Sequence, residues 1–375
     1  MMKKLIAAYD GDGIRYVISE DGEPRAAGFY SGEQAMPYDV VLAVCRENSP
    51  ASGGFFADAG MSRTDFIQGS PGALKPGDRF PAMVVTGQRG GKGRLLTRDI
   101  SFCGFYVFAN FKTGVARGID SVTVSRKIED KTESEKLAEA AESILKTYDG
   151  SYFPEITVRT AARENSEGMI NELKEFIKRA VRIEASTCVK EFKPGDLLFR
   201  NSFPDYLLAT YRDNVFGELF AGSAQIALEI GKRFEAAPSK PVIRTYTGGF
   251  TVFDADEGAR KIPDYMGRRF YTKSGAEIVY DETEAMHVFD VNSAGSKKSA
   301  AEINLEACEE IARFVSVRNI AGIIMCDFIG TSGREAKTGV VEKMRELAKI
   351  DYARFEIHGF TKLEILECSR SRKLK

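Results

Sequence analysis

Two rhythms run through the chain: short apolar runs of strand length, and longer stretches whose apolar residues recur every three to four positions. From Asp39 to about Ile100 the rhythm is β. "DVVLAVCREN", "GGFFADAG", "RTDFIQG", "RFPAMVVTGQ" and "GRLLTRDI" are strand-like and are separated by Gly, Pro and Asp turns such as "LKPGD". Five short strands in so small a span predict a closed barrel of the OB-fold kind. A further strand, "CGFYVFANF", is followed by "DKTESEKLAEAAESILKTY", a helix opening on a Thr132/Glu135 capping-box pattern. "YFPEITVRTAARENS" reads as a strand and turn, and "NSEGMINELKEFIKRAVRIEA" as a helix. A mixed region follows, with "PDYLLATYRD" and the helix-like "SAQIALEIGKRFEAA". Then come strands "AEIVYDE" and "EAMHVFDVN", helix "AEINLEACEEIARFVSV", the apolar strand "IAGIIMCDFIG", helix "REAKTGVVEKMRELAKI" and two final strands. Strand, helix, strand with a continuously apolar second strand predicts a crossover in a sheet that contains parallel pairs. No repeat or low-complexity linker interrupts the series.

Composition narrows the setting. With 375 residues, 43% apolar and 29% charged, the chain is long for a single core, so two or more domains are expected. A formal net charge of −1 gives the whole-protein field no preference for a polyanion, and any anionic partner must be held by local patches. No long uncharged apolar window occurs, and "MMKKLIAAYDGDG" is too short in apolar length for a signal peptide, so a soluble cytoplasmic protein is expected. Six cysteines are scattered singly, without the spacing of a zinc knuckle or redox pair, and are expected to be reduced and mostly buried.

Candidate chemistry is sparse. Only two histidines occur, His287 and His358, both inside strand patterns, which argues against a Ser-His or Cys-His nucleophile. "TGQRGGKGR" fails as a phosphate loop, because Thr86 stands at the first glycine position and Gly93 at the final Ser/Thr. It reads as a basic hairpin at the barrel edge. The aspartates say more. Period-two alternation puts Asp290 and Asn292 on one side of their strand, and Asp327 ends the apolar strand. If these strands are neighbours, two carboxylates and an amide oxygen converge into a hard-oxygen site suited to magnesium. The alternative, that each aspartate caps a turn or helix start, is not separated by spacing alone.

"ETEAMHVFDVNSA…NLEACEEIARFVSVRNIAGIIMCDFI…DYARFEIHGFTKLEILECSRSR" closely resembles the catalytic region of the ribonuclease E/G family of bacterial endoribonucleases. The likeness extends upstream through "RTYTGG", "EITVRTA", "GGKGRLLTRDISFCGFYVF", "VSRKIED" and the barrel. "DVNSA", then "NLEA", then "DFI" is its specific core. The resemblance implies an α/β, multidomain chain with an inserted OB-fold RNA-binding barrel and a C-terminal mixed α/β (DNase I-like) catalytic domain. The implied segments are 1–36 and 195–255 for an RNase H-like subdomain, 37–100 for the barrel, 101–194 for a 5′-sensor region and 256–375 for the catalytic domain.

The resemblance also implies residue roles. Asp290 and Asp327 would hold a catalytic magnesium, one ion or two, with Asn292 in support. The products would be 5′-phosphate and 3′-hydroxyl ends from single-stranded RNA, in RNA processing, decay and rRNA maturation. Phe56, Phe66 and Lys92 would bind RNA. Alternation lets only one of Phe55 and Phe56 face the barrel core, and the resemblance picks Phe56 for the ligand side. Arg126, Lys127, Lys297 and Lys298 are further basic candidates for RNA. A 5′-monophosphate pocket would use Arg159 and Thr160, supported by Arg354, Gly104 and the backbone at Phe108, whose ring replaces a smaller valine. Taken alone, Arg159-Thr160 is equally an ordinary surface turn. Gly295 stands where longer relatives have an arginine, and Gly330 replaces an acid. Without a Cys-Pro-x-Cys segment no zinc is expected and a zinc-linked dimer is unsupported. The alternative function is a non-cleaving or weakly cleaving RNA-binding protein acting on ribosomal RNA. A metal-dependent phosphatase or DNase fits less well, since an OB barrel favours single strands.

Overall fold

Among the described residues the strands assemble into four sheets. The computed structural model describes residues 3–49, 53–69, 72–87, 93–113, 121–211, 216–331 and 333–374. It forms two compact units: Met1–Tyr30 with Asp213–Leu228 and Pro241–Lys375, and Ser31–Arg212 with Glu229–Lys240.

The chain opens with a three-stranded meander, β1 (Lys3–Asp10), β2 (Gly13–Glu20) and β3 (Glu23–Ser31), which the pattern reading from Asp39 onward does not cover. Asp21 and Gly22 both have positive φ, 51° and 75°, as a tight primed hairpin turn requires.

The barrel follows: β4 (Val40–Ser49), β5 (Gly54–Asp58), β6 (Asp65–Gln68), β7 (Arg79–Thr86) and β8 (Leu95–Thr97). The order is β4-β5-β6-β8-β7, and β7 pairs back onto β4, closing a five-stranded, OB-like barrel. The β6–β8 pair is parallel and the other barrel pairs are antiparallel. Val41, Ala43, Phe55, Ile67, Phe80, Ala82 and Leu96 fill its interior. The run "GRLLTRDI" is divided, for its last residue, Ile100, begins the next sheet. Of the basic hairpin expected at the barrel edge, residues 89–92 lie outside the described residues. Its Arg94 is buried, donating to Asp65 at 2.7 Å and to the Ala59 carbonyl at 2.6 Å. The low-dielectric interior admits the guanidinium because a carboxylate and a carbonyl receive it.

Next come β9 (Ile100–Cys103), β10 (Val107–Lys112), β11 (Val122–Val124), α1 (Lys131–Leu145), β12 (Phe153–Val158) and α2 (Ser166–Thr187). The sheet order is β11-β12-β10-β9, and Phe102 stacks on Phe176 of α2 at 5.4 Å. α1 starts earlier than its Thr132 pattern predicts. Asp130 is the cap, accepting the Glu133 amide, and Thr132 lies inside the helix. An aspartate two residues upstream offers the same backbone donors a charged acceptor, which outcompetes the hydroxyl.

β13 (Leu197–Phe199) adds to β4, and "PDYLLATYRD" forms α3 (Phe203–Thr210) behind its Ser202 cap. β14 (Glu218–Ala221), α4 (Ala224–Phe234) and β15 (Val242–Thr245) follow. β14 and β15 join the opening meander in the order β15-β14-β1-β2-β3, so one sheet draws on distant parts of the sequence.

The last sheet comprises β16 (Arg269–Tyr271), β17 (Glu277–Glu282), β18 (Met286–Asn292), β19 (Gly322–Asp327), β20 (Ala353–Phe360) and β21 (Ile365–Leu374), preceded by the short α5 (Glu257–Arg260). α6 (Ala300–Val317) connects β18 to β19 and α7 (Arg334–Ile350) connects β19 to β20. The order is β16-β17-β18-β19-β21-β20, with β18–β19 parallel as the crossover pattern predicts. Phe289, Ile324, Cys326 and Leu366 share a buried core with Ile311 and Phe314 of α6 and Met344 of α7. Period-two alternation turns the intervening residues to the opposite face.

Candidate active site

β18 buries His287, Phe289 and Val291 and exposes Asp290 and Asn292. β19 buries Ile324 and Cys326 and exposes Asp327. The parallel register sets Asp290 directly beside Asp327. Strand neighbours lie about 4.8 Å apart, so the two carboxylates are adjacent on one open face. Partial burial, and after it the charge of Asp290, holds the Asp327 carboxyl above its ordinary range. Asn292 donates to Asp290 Oδ2 at 2.9 Å, which orients that carboxylate and leaves the amide oxygen as an acceptor. Two carboxylates and an amide oxygen are hard donors that suit a divalent cation sharing its shell with water and phosphate. Among the described residues no group of three or more His, Cys, Asp or Glu gathers as a ready-made metal cage.

Past Asn292 the chain runs through Lys297 and Lys298 before Ser299 caps α6 in a capping box with Glu302. Lys297 is exposed. Lys298 donates to Glu306 at 2.5 Å. Burial opposes ionisation of Glu306, yet Lys298 and Ser274 bring its carboxyl down to about 2. His287 is buried against Tyr280, 2.9 Å from ring nitrogen to hydroxyl, and His358 of β20 bonds Ser369 of β21.

On the barrel, Phe55 is fully buried and Phe56 is half-buried on the outside. Phe56 pairs across strands with Phe66, ring centroids 5.6 Å apart and edge to face. The Phe66 ring lies over Gly54, where a Cβ would stand 2.4 Å from Cζ, so the glycine of "GGFF" makes room for it. Lys92 lies outside the described residues.

A third group lies at the end of the β11-β12-β10-β9 sheet. Arg159, just after β12, donates to the Gly104 carbonyl at 2.5 Å. Thr160 is exposed and shares a 2.9 Å hydrogen bond with Ser125, which opens the turn carrying exposed Arg126 and Lys127. The Gly104 amide donates to the Val107 carbonyl, and the amides of Phe105, Tyr106 and Val107 donate to Glu172 of α2. A Cβ at Gly104 would stand 2.0 Å from the Glu172 carboxyl carbon, so the close approach there is made by that carboxylate. Phe108 is half-buried on β10, opposite Thr157. Arg354 belongs to the other unit, exposed on β20 and paired with Glu356 at 2.6 Å.

The family model of the "Ribonuclease E/G family" matches residues 114–373. The chain belongs to the ribonuclease E/G family. It is 30% identical to ribonuclease E of Escherichia coli (strain K12) over 317 residues, 80% of this chain and 28% of that relative. It is 27% identical to ribonuclease E of Haemophilus influenzae over 376 residues, 95% and 39% of the two chains. Ribonuclease G of Escherichia coli (strain K12) is 27% identical over 312 residues, 80% and 60%. The chain thus spans between 28% and 60% of these relatives' length.

In this ribonuclease E/G family chain, two supporting residues escape a reading for chemistry. Asn304, buried in α6, donates to the Ile329 carbonyl at 2.7 Å and accepts the Ile329 amide at 3.1 Å, pinning the segment that leaves Asp327. Its signal is a polar amide within the apolar stripe Ile303, Ala307, Cys308, Ile311. Glu172 also accepts from Arg233 at 3.2 Å, and only its place on the inner side of α2 sets it apart from neighbouring acids. All six cysteines are free, and five are buried. No helix among the described residues is long and apolar enough to cross a membrane.

Proposed function

We propose that this chain is a magnesium-dependent endoribonuclease that hydrolyses single-stranded RNA to 5′-phosphate and 3′-hydroxyl ends. The observation that carries the proposal is the in-register pairing of Asp290 with Asp327 on an open sheet face. Uncompensated, two neighbouring carboxylates repel each other and repel RNA; a cation makes the arrangement useful. Magnesium held there supplies positive charge at the scissile phosphate and makes adjacent water a better acid.

The chain's own residues supply position. Asn292 orients Asp290, and Asn304 fixes the backbone after Asp327. The sheet that carries them, with α6 and α7, is the DNase I-like catalytic part in this reading. Phe56 and Phe66 offer ring faces to bases, at roughly 1 to 3 kcal/mol per stacked base, and Lys92 meets a phosphate. Arg159 and Thr160, with Arg126 and Lys127 beside them and the backbone of Phe108 in support, receive a terminal 5′-phosphate. Lys297 and Lys298, on the segment between Asn292 and α6, attract the strand.

The test is cleavage of a labelled single-stranded RNA by the purified chain in magnesium and in chelator. Cutting that needs magnesium and is lost in Asp290→Asn and Asp327→Asn supports the proposal. Cutting that persists in chelator or in both variants overturns it.

A further inference from the structure

Beyond Asp327 the chain enters α7, whose outer side sets Arg334, Thr338, Glu342 and Arg345 along one stripe at three- and four-residue spacing. Phe360, the last residue of β20, stands beside this stripe, and between them lies an open groove of about 460 Å³. Lys337 also lines it, its Nζ 3.0 Å from Glu364 and 5.9 Å from the centre of the Phe360 ring. Arg334, Lys337, Arg345 and the carboxylate of Glu342 thus surround a half-buried aromatic ring, with Lys337 already paired to Glu364. Arg334 and Arg345 are exposed, and among the described residues neither is drawn into an ion pair. This basic character is local, since the chain's net charge is only −1.

Geometry separates the ligands that such a groove accepts. Eleven helical steps put Arg334 and Arg345 about 16 Å apart along the axis, too far for one phosphate to bridge. An extended polyanion reaches both. The groove also begins at the acid pair's end of the sheet: Phe360 pairs with Leu366 while Asp327 pairs with Ile365, and six residues separate Asp327 from Arg334.

We propose that this groove carries the single-stranded RNA beyond the bond being cut, with phosphates on Arg334 and Arg345 and a base against Phe360. The proposal rests on the endoribonuclease reading. A guanidinium forks onto phosphate oxygens and a phenyl face accepts any base, so the groove adds hold without adding sequence preference.

The test measures affinity of the full chain, in chelator so that nothing is cut, for a labelled single-stranded RNA long enough to reach from Asp327 past Arg345. It is repeated across salt concentrations. Arg334→Ala/Arg345→Ala should bind several-fold more weakly and flatten the salt slope by about 1.4, at roughly 0.7 per lost single-strand phosphate contact. Arg334→Glu/Arg345→Glu should bind more weakly still, and Phe360→Leu, which keeps the apolar contact, should lose the stacking contribution. Unchanged affinity and slope in a double variant with native melting would overturn the proposal. So would ATP binding that is lost in the double variant while RNA binding is kept, which marks a small-nucleotide site. If wild type cuts RNA through Asp290 while the double variant binds normally, the groove alone fails. If wild type neither binds nor cuts RNA, the endoribonuclease reading fails with it.

Discussion

Replacing Asp327 by Asn keeps the side chain's shape and removes one of two charges at neighbouring strand ends. Two unit charges about 5 Å apart repel by roughly 1 kcal/mol in water and roughly 3 kcal/mol at an effective dielectric constant of 20. Both aspartates are exposed, so screening puts the working figure at the low end, about 1 kcal/mol. In chelator at low salt the variant should therefore be more stable than wild type by about 1 kcal/mol, a rise of roughly 1 to 2 °C in Tm. Magnesium should then raise the melting temperature of wild type more than that of the variant. The pH dependence has a fixed sign. Because folding raises the Asp327 pKa, wild type without metal gains stability as pH falls through that raised value and loses it as pH rises. The variant lacks this dependence. Single-turnover cleavage should fall about a hundredfold or more, since the lost carboxylate acts on the transition state. A variant less stable than wild type in chelator, with cleavage near the wild-type rate, would refute the reasoning.

Other expectations follow from neighbouring geometry. Asn304→Ala leaves the backbone N–H and C=O of Ile329 without their partner and should cost about 2 kcal/mol in a denaturant titration, with slower cleavage as the Asp327 end loosens; unchanged stability and rate would return Asn304 to a passive role. Phe55→Ala should destabilise the chain by about 3 to 5 kcal/mol. Phe56→Ala and Phe66→Ala should instead leave the melting curve nearly unchanged and weaken RNA binding by about 1 to 3 kcal/mol each, read by fluorescence anisotropy; a reversed pattern would exchange core and ligand faces. RNA bearing a 5′-monophosphate should be cut faster than its 5′-hydroxyl form by about 1 to 2 kcal/mol in activation free energy, a difference that Arg159→Ala removes. Equal wild-type rates on the two RNAs would show that the arginine serves only the Gly104 turn.

What the chain discloses by itself is local. Period-two runs with Gly and Pro punctuation mark the barrel strands, and alternation within "HVFDVN" puts Asp290 and Asn292 on one face, because both are properties of consecutive residues. What it hides is set by partners far away in sequence. The parallel β6–β8 pair and the closing β4–β7 pair join segments whose contact no spacing announces. Arg94 looks like a surface cation until Asp65 arrives from another strand to receive it. Gly104 suggests room for a ligand, whereas the group that approaches it is the side chain of Glu172. The aspartates stand between these cases. Each strand end is visible locally, but that Asp290 meets Asp327, and not some other residue of β19, is decided by register across a helical crossover.

That crossover has a consequence in time. Asp290 and Asp327 are separated by the whole of α6, so neither acquires its neighbour until β19 has been made and has docked beside β18. A nascent chain that has emerged only as far as α6 carries one carboxylate and no pair, however well its barrel has folded. Long-range parallel pairing is also slow compared with local hairpins and helices. The proposed nuclease is therefore inert until β19 has been made and docked. It would begin to cut only after translation had passed Asp327.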